Sequence, residues 1–135
     1  MDAEELKRRT KAFAIRIIRL VEALPNTSTA RVIGNQLLRS GTSVGANYRA
    51  ACRARSQADF VSKIGVVEEE ADESAYWLEL LVEAGILSID RIKDLLNEAN
   101  ELTAIFTSSG RTAKERQTSR SSANPQSRSA ALWGL

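Results

Sequence analysis

The sequence predicts an all-α protein, an antiparallel up-down-up-down four-helix bundle followed by a disordered C-terminal tail. The chain has 135 residues with seven glycines, two prolines and only 5% aromatic residues, a composition that favours helices over strands. Apolar residues recur in alternating steps of three and four, which is the spacing of a helix face packed in a bundle. The breaks between these periodic segments are short, so successive helices are expected to be antiparallel neighbours.

The first two predicted helices are separated by Pro25 and the polar residues after it. The first begins after Asp2, which can cap it, and its inward positions are Leu6, Phe13, Ile17, Leu20 and Leu24, widened by Ile18 and Val21. The second covers residues 30–53, and its inward positions are Ala30, Ile33, Leu37, Ser40, Val44, Asn47 and Ala51. We expect the polar members of this face, together with Ser43, to be hydrogen-bonded in the interior or at a subunit contact, with Glu70 or Glu73 as candidate partners.

Three glycines, Gly34, Gly41 and Gly45, share one side of the second predicted helix. Each glycine in a helix interior costs roughly 1 kcal/mol relative to alanine. The repeated cost indicates that another helix approaches closely over Gly41 and Gly45, as small residues four positions apart permit. If residues 40–43 formed a turn instead, Val44 to Arg53 would be the recognition helix of a helix-turn-helix DNA-binding regulator. That regulator is the main alternative function.

The third predicted helix covers residues 57–84 and has the most regular apolar spacing of the chain. Ser56 can cap its start and Gly85 its end, and Ser88 can cap a fourth helix that carries apolar residues as far as Phe106. After Phe106 the apolar period fails, and the segment that follows is polar, serine-rich and basic. The predicted domains are therefore a bundle over residues 1–108 and a disordered basic tail over residues 109–135.

Basic and acidic residues are separated along the chain, although the formal net charge is only +2. Residues 7–63 contain 12 basic and 2 acidic side chains, whereas residues 64–109 contain 2 basic and 11 acidic ones. This asymmetry predicts either a surface that binds anions or pairing between basic and acidic helices, within or between subunits. The candidate nucleic-acid-binding residues are Lys7, Arg8, Arg9, Lys11, Arg39, Arg49, Arg53 and Arg55.

The chain contains no histidine, which excludes His-based di-iron and zinc sites and hydrolysis by Ser-His or Cys-His pairs. Glu69-Glu70-x-x-Glu73 resembles the EExxE element of Mg-dependent all-α nucleotide pyrophosphohydrolases. The second element of that family is matched only partly, by Glu98-x-x-Glu101, so this enzyme is a weaker alternative. We expect no enzymatic activity, no cofactor or metal, and no small-molecule substrate.

The sequence shows no signal peptide and no apolar run long enough to span a membrane. We therefore expect a cytoplasmic protein with no membrane partner. The single cysteine, Cys52, has no internal disulfide partner and is predicted to be a small buried residue.

Several longer stretches match one protein family in order and at consistent spacing. They are residues 23–25 (ALP), 36–40 (QLLRS), 43–49 (SVGANYR), 59–60 (DF), 63–64 (KI), 69–73 (EEADE) and 76–81 (YWLELL). Over about residues 13–106 the chain resembles the four helix bundle protein family, also called the intervening-sequence protein of 23S ribosomal RNA. The resemblance implies a left-handed antiparallel bundle that assembles as a homopentameric ring without established enzymatic activity. The accessory protein of diversity-generating retroelements is similar to this family and binds nucleic acid through a basic surface, which implies RNA or DNA as a partner.

Overall fold

Four α-helices form an antiparallel bundle in a computed structural model of the chain, which describes residues 1–123 and the side chains of residues 1–119. The helices are α1 (Ala3–Glu22), α2 (Ser28–Cys52), α3 (Gln57–Glu83) and α4 (Ile89–Ala123). Each helix packs against the next one, and α1 also contacts α4 less extensively. The predicted fold class is confirmed. Within residues 1–123, no helix is both long enough and apolar enough to cross a membrane.

Capping side chains define where the first three helices begin. The side chains of Asp2, Thr27 and Ser56 accept hydrogen bonds from backbone N–H groups three residues later, at 2.8, 3.1 and 3.0 Å. Each bond satisfies a donor that has no partner inside the helix. At the end of α3, Gly85 has a φ of +76°, the left-handed conformation that a glycine adopts without strain. The predicted caps at Asp2, Ser56 and Gly85 are confirmed.

The glycines of α2 bring this helix into close contact with α1. A Cβ atom at Gly41 would lie 2.8 Å from Ile17 Cγ1, and one at Gly45 would lie 3.1 Å from Thr10 Oγ1. Both distances are shorter than ordinary van der Waals contact, so the observed helix separation requires small residues here. The predicted close approach over Gly41 and Gly45 is confirmed.

The helix α2 is uninterrupted through residues 40–43, so the predicted turn of the helix-turn-helix alternative is wrong. The hydroxyls that could have stabilised a turn bond to the helix itself. Thr42 Oγ1 donates to the Leu38 carbonyl at 2.7 Å, and Ser43 Oγ donates to the Arg39 carbonyl at 2.6 Å. Bonds of this kind to the preceding helical turn leave the backbone hydrogen-bond pattern in place.

Apolar side chains of all four helices form one core. Its largest fully buried members are Phe13, Ile17, Leu37, Ile64, Leu78, Leu81, Ile92, Leu102 and Phe106. On α2 the next buried residue after Val44 is Tyr48. Asn47, which was predicted to be the next inward residue, is only partly buried. The inward face advances by four residues here instead of three, and the Tyr48 ring lies 5.3 Å from that of Phe106 between centroids.

Two buried serines link α2 to α3. The hydroxyl oxygens of Ser40 and Ser74 lie 3.1 Å apart, and each also contacts a backbone carbonyl of its own helix. The predicted interior position of Ser40 is confirmed. Asn47 Nδ2 donates to the Ser43 carbonyl at 2.9 Å, so this amide is satisfied within α2 and not by the predicted acidic side chains of α3.

The helix α4 continues to Ala123, and the predicted disorder is wrong for residues 109–119, whose side chains are also described. Gly110 and Ala113 continue the inward face of Phe106 in steps of four and three. A Cβ atom at Gly110 would lie 3.4 Å from Ile64 Cγ2, and Ala113 is only 4% exposed. This continuation is not evident from the sequence, because small side chains add little to an apolar pattern. The rest of the predicted tail, residues 124–135, lies outside the described residues.

Cys52 is exposed at the C-terminal end of α2, and the prediction of a buried cysteine is wrong. Ala51, the preceding residue, takes the inward position and is 1% exposed. Since one residue turns the helix by about 100°, Cys52 points away from the core.

Candidate nucleic-acid interface

The eight basic residues predicted to bind nucleic acid fall into three groups. The first group lines a groove between α1 and α2 and consists of Lys7, Lys11 and Arg49. The second group is held in ion pairs with acidic residues of α3 or α4 and consists of Arg9 and Arg39. The third group is exposed, forms no ion pair with any described side chain and consists of Arg8, Arg53 and Arg55.

The α1/α2 groove, with a volume of about 190 Å³, results from the close packing of these two helices. It is lined by Lys7, Thr10, Lys11, Ala14, Thr42, Gly45, Ala46 and Arg49. The floor consists of small side chains, and the hydroxyl of Thr10 donates to the Leu6 carbonyl at 2.8 Å. The Thr42 hydroxyl donates to the Leu38 carbonyl in the same way. Because both hydroxyl protons are already used, the donors that the groove offers to an anion are the three cations at its edges.

The cations of the groove are largely uncompensated within the described side chains. Lys7 and Lys11 lie one turn apart on α1, and Arg49 faces them from α2. Lys7 pairs with Glu4 at 3.1 Å on the exposed surface, where such pairs contribute little. Lys11 and Arg49 form no ion pair with a described side chain. The groove therefore concentrates positive charge in a concave surface, which attracts anions.

Arg39 lies on α2 outside the groove and pairs with α3. Its Nη1 lies 3.1 Å from Glu70 Oε2, and its Nη2 donates to Glu73. Glu73 also accepts a hydrogen bond from Trp77 Nε1 at 3.1 Å. For Arg39, the predicted alternative of pairing with acidic helix residues is therefore correct within one chain.

Arg9 joins α1 to α4 through Glu98. Its Nε and Nη2 donate to the two carboxylate oxygens of Glu98, both at 2.7 Å, and Glu101 lies 3.5 Å away. The hydrogen bond to Glu98 raises the pKa of Arg9, and the negative charges of both glutamates act in the same direction. A bidentate pair of this kind holds the guanidinium in a defined orientation. Arg9 thus faces α4 and not the α1/α2 groove.

The same ion pairs bear on the pyrophosphohydrolase alternative. Glu70 and Glu73 of its first element face Arg39, and Glu98 of its second element faces Arg9. Among the described residues, no group of three or more His, Cys, Asp or Glu side chains is placed to hold a metal ion. The carboxylates that would bind Mg²⁺ in such an enzyme are therefore paired with arginines, and among the described residues they are not assembled into a metal site.

The connection between α2 and α3 carries Arg53 and Arg55 at one end of the bundle. The nearby carboxylate of Asp59 accepts a hydrogen bond from Lys63 Nζ at 2.6 Å and one from the Arg55 backbone N–H at 3.4 Å. The hydrogen bond from Lys63 lowers the pKa of Asp59. Asp59 is therefore engaged by Lys63 and by the backbone, and neither arginine side chain forms an ion pair with it.

Sequence reasoning did not identify the residues that form the groove floor. Thr10 lies between Leu6 and Phe13 in the inward repeat of α1 and is fully buried, so its spacing alone could have identified it. Its contact with Gly45 could not be derived from the sequence, because the rotation of α1 relative to α2 decides which residues face each other.

Comparison with known proteins is consistent with this architecture. The family described as 23S rRNA-intervening sequence protein matches residues 4–108. A solved structure of a protein of unknown function from the S23 ribosomal protein family of Bacteroides thetaiotaomicron VPI-5482 is 36% identical, with a TM-score of 0.76. The similarity covers 82% of this chain and 99% of that chain. No curated protein matches the sequence.

Proposed function

The chain belongs to the 23S rRNA-intervening sequence protein family, and from this premise we propose that it is a non-enzymatic, oligomeric scaffold or accessory protein that associates with RNA or DNA. The observation that carries the proposal is the α1/α2 groove, in which Lys7, Lys11 and Arg49 converge over a floor of small residues. Duplex DNA carries one negative charge per about 1.7 Å of helix axis. Cations gathered in one groove can therefore contact neighbouring phosphates and release their counterions.

The groove has the chemistry for phosphates and not for bases. None of its lining residues is aromatic, and stacking on aromatic side chains is the usual way in which single strands are held. Reading base edges also requires a helix or strand that enters a DNA groove, whereas the backbones of α1 and α2 pack closely against each other here. The proposed binding is therefore independent of base sequence and sensitive to salt.

Replacing Lys7, Lys11 and Arg49 together by glutamine is expected to weaken the binding of generic RNA and DNA duplexes. Each lost phosphate contact lowers the slope of log K against log salt by about 0.9, so the triple variant should lose roughly 3 units of slope. Fluorescence anisotropy between about 50 and 200 mM salt measures both affinity and slope. All three side chains are at the surface, so stability should change by no more than about 0.5 kcal/mol each.

A matched control removes the same charge from the other end of the bundle. Arg31, Arg91 and Lys93 lie near the starts of α2 and α4 and are exposed, and their replacement by glutamine should leave the slope close to that of the unchanged protein. If both variants lost the same amount of slope, the loss would come from the lower net charge of the protein and not from contacts in the groove. Absence of binding by the unchanged protein at low salt would refute the proposed function.

The proposed oligomer is a homopentameric ring, as the family resemblance implies. The monomer exposes several large apolar side chains that a subunit contact could cover, namely Ile15, Ile18, Val32, Val66, Tyr76 and Ile89. The basic α1/α2 half and the acidic remainder also differ in charge, which supports contacts between unlike surfaces, the kind that close into rings. Such a ring would bring several copies of the groove together.

Light scattering coupled to size exclusion is expected to give a mass about five times the 14.8 kDa of the chain. Measuring at several protein concentrations separates a stable ring from a weak association. A monomeric mass at all concentrations would contradict the proposed ring and leave the groove to act alone.

A further inference from the structure

The antiparallel arrangement collects four chain segments at one end of the bundle, which we term the basic end. The start of α1 and the end of α2 meet there, as the approach of Thr10 to Gly45 shows. The start of α3 and the C-terminal part of α4 also meet there, because Gln57 Nε2 donates to the Ala113 carbonyl at 3.2 Å. The connection from α2 to α3 crosses this same end.

Beyond residue 108, where the family match ends, α4 carries additional cations toward the basic end. Arg111, Lys114 and Arg116 are exposed and form no ion pair with any described side chain. Glu115 is the acidic residue among them. This part of α4, residues 109–123, is called the α4 extension below.

Part of the α4 extension borders a second groove, between α3 and α4, with a volume of about 270 Å³. Arg111 and Lys114 line it together with Gly65 and Gly110. A Cβ atom at Gly65 would meet nothing within 4 Å, so packing inside the chain does not require a glycine there. The space over Gly65 is therefore free next to Arg111 and Lys114. Among the residues that line this groove Glu68 is the acidic one, and its carboxylate accepts a hydrogen bond from Thr107 Oγ1 at 2.8 Å.

The α4 extension also reaches past the rest of the bundle. Gly110 packs against Ile64, which lies seven residues after Gln57, the first residue of α3. Because the two helices are antiparallel, the part of α4 about seven residues beyond Gly110 is level with the start of α3, and from there to Ala123 the helix runs roughly 9 Å further at about 1.5 Å per residue. Arg116 therefore lies beside the first turn of α3, at the end of the bundle, where it is exposed.

We propose that the α4 extension is a second phosphate-contacting surface, so that a nucleic-acid duplex bound at the α1/α2 groove is also held by Arg111, Lys114 and Arg116. This inference rests on the proposed function. Several acidic side chains near the two sites are engaged already, since Asp2 caps α1, Glu4 pairs with Lys7, and Asp59 accepts from Lys63. Glu115 lies among the three cations of the α4 extension and lowers their summed charge from +3 to +2. The exposed Arg53 and Arg55 of the α2–α3 connection lie at the same end.

The test replaces Arg111, Lys114 and Arg116 by glutamine in the full chain. Glutamine keeps the helix propensity, and circular dichroism checks that the helix content is retained. The slope of log K against log salt for generic RNA and DNA duplexes should fall by roughly 3 units, because about 0.9 is lost for each phosphate contact. Affinity at about 50 mM salt should fall by about tenfold or more.

A charge-retaining variant, Arg111→Lys with Arg116→Lys, should keep the slope of the unchanged protein. If the unchanged protein binds and the groove variant is impaired, but the extension variant keeps full affinity and slope, this inference is wrong while the proposed function stands. If the unchanged protein binds neither duplex, both fail. Stronger binding of a single strand than of either duplex would also overturn the inference, since it would place the affinity in bases and not in a duplex backbone.

Discussion

Replacing Phe106 by alanine is expected to lower the free energy of unfolding by about 3–5 kcal/mol. Phe106 is fully buried on α4, and its ring packs against Tyr48 of α2 at 5.3 Å between centroids. These two helices are not neighbours around the bundle, so the ring fills the space at its centre. The variant loses the transfer free energy of the ring and the aromatic contact, and it leaves a cavity that the helices can close only partly.

Urea denaturation at fixed protein concentration measures this effect, since oligomer formation makes stability depend on concentration. Phe106→Leu should give a smaller loss, because most of the side-chain volume is kept. The control is Lys93→Ala, at an exposed position on the same helix, where a change within about 0.5 kcal/mol is expected. A loss below about 1 kcal/mol for Phe106→Ala would contradict its central position in the core.

Two glycine-to-alanine variants are expected to change stability in opposite directions. At Gly41 a new Cβ atom would lie 2.8 Å from Cγ1, 2.9 Å from Cγ2 and 3.1 Å from Cβ of Ile17. Ile17 is fully buried, and its β-branched side chain has little rotational freedom in a helix. Overpacking costs about 1–3 kcal/mol, which exceeds the gain of roughly 1 kcal/mol in helix propensity over most of that range. We expect a net loss of about 1 kcal/mol, the middle of the resulting range of roughly 0–2 kcal/mol.

Gly65→Ala is the matched control, because it makes the same chemical change in the interior of another helix. No atom lies within 4 Å of the position that its Cβ would take. The substitution therefore changes only the helix propensity, which is higher for alanine than for glycine, so the free energy of unfolding should rise by about 1 kcal/mol. Thermal or urea denaturation of both variants measures the difference. If Gly41→Ala were as stable as Gly65→Ala, the close approach of α1 and α2 would not depend on the missing side chain.

Helix boundaries and inward faces could largely be predicted from the sequence, and the exceptions have physical reasons. Asn47 was predicted inside and Tyr48 is buried instead. The predicted alternation of three and four averages 3.5 residues per turn, whereas a straight helix advances by 3.6, so a step of four replaces a step of three here. The continuation of α4 was missed since Gly110 and Ala113 pack through small size. A close contact between helices requires small residues, and these residues do not stand out in an apolar pattern.

The family-specific stretches and the basic composition pointed to a nucleic-acid surface, but they could not distinguish one cation from another. Lys7 and Arg9 are two residues apart on α1, yet Lys7 lines the α1/α2 groove while Arg9 pairs with Glu98. Likewise, Arg39 and Arg49 lie on one helix, and only Arg39 pairs with acidic residues of α3. The structure therefore divides the candidate residues by their contacts, and their binding to nucleic acid stays a prediction.

By itself, the sequence determined the helices, their caps and the antiparallel order, because these depend on spacings of three or four residues and on short connections. Only the tertiary structure decided which cations remain available to a partner. The carboxylates that engage Arg39 and Arg9 lie 31 and 89 residues away along the chain. Whether a guanidinium meets such a carboxylate depends on the rotation of each helix about its axis, and packing of the whole core sets that rotation.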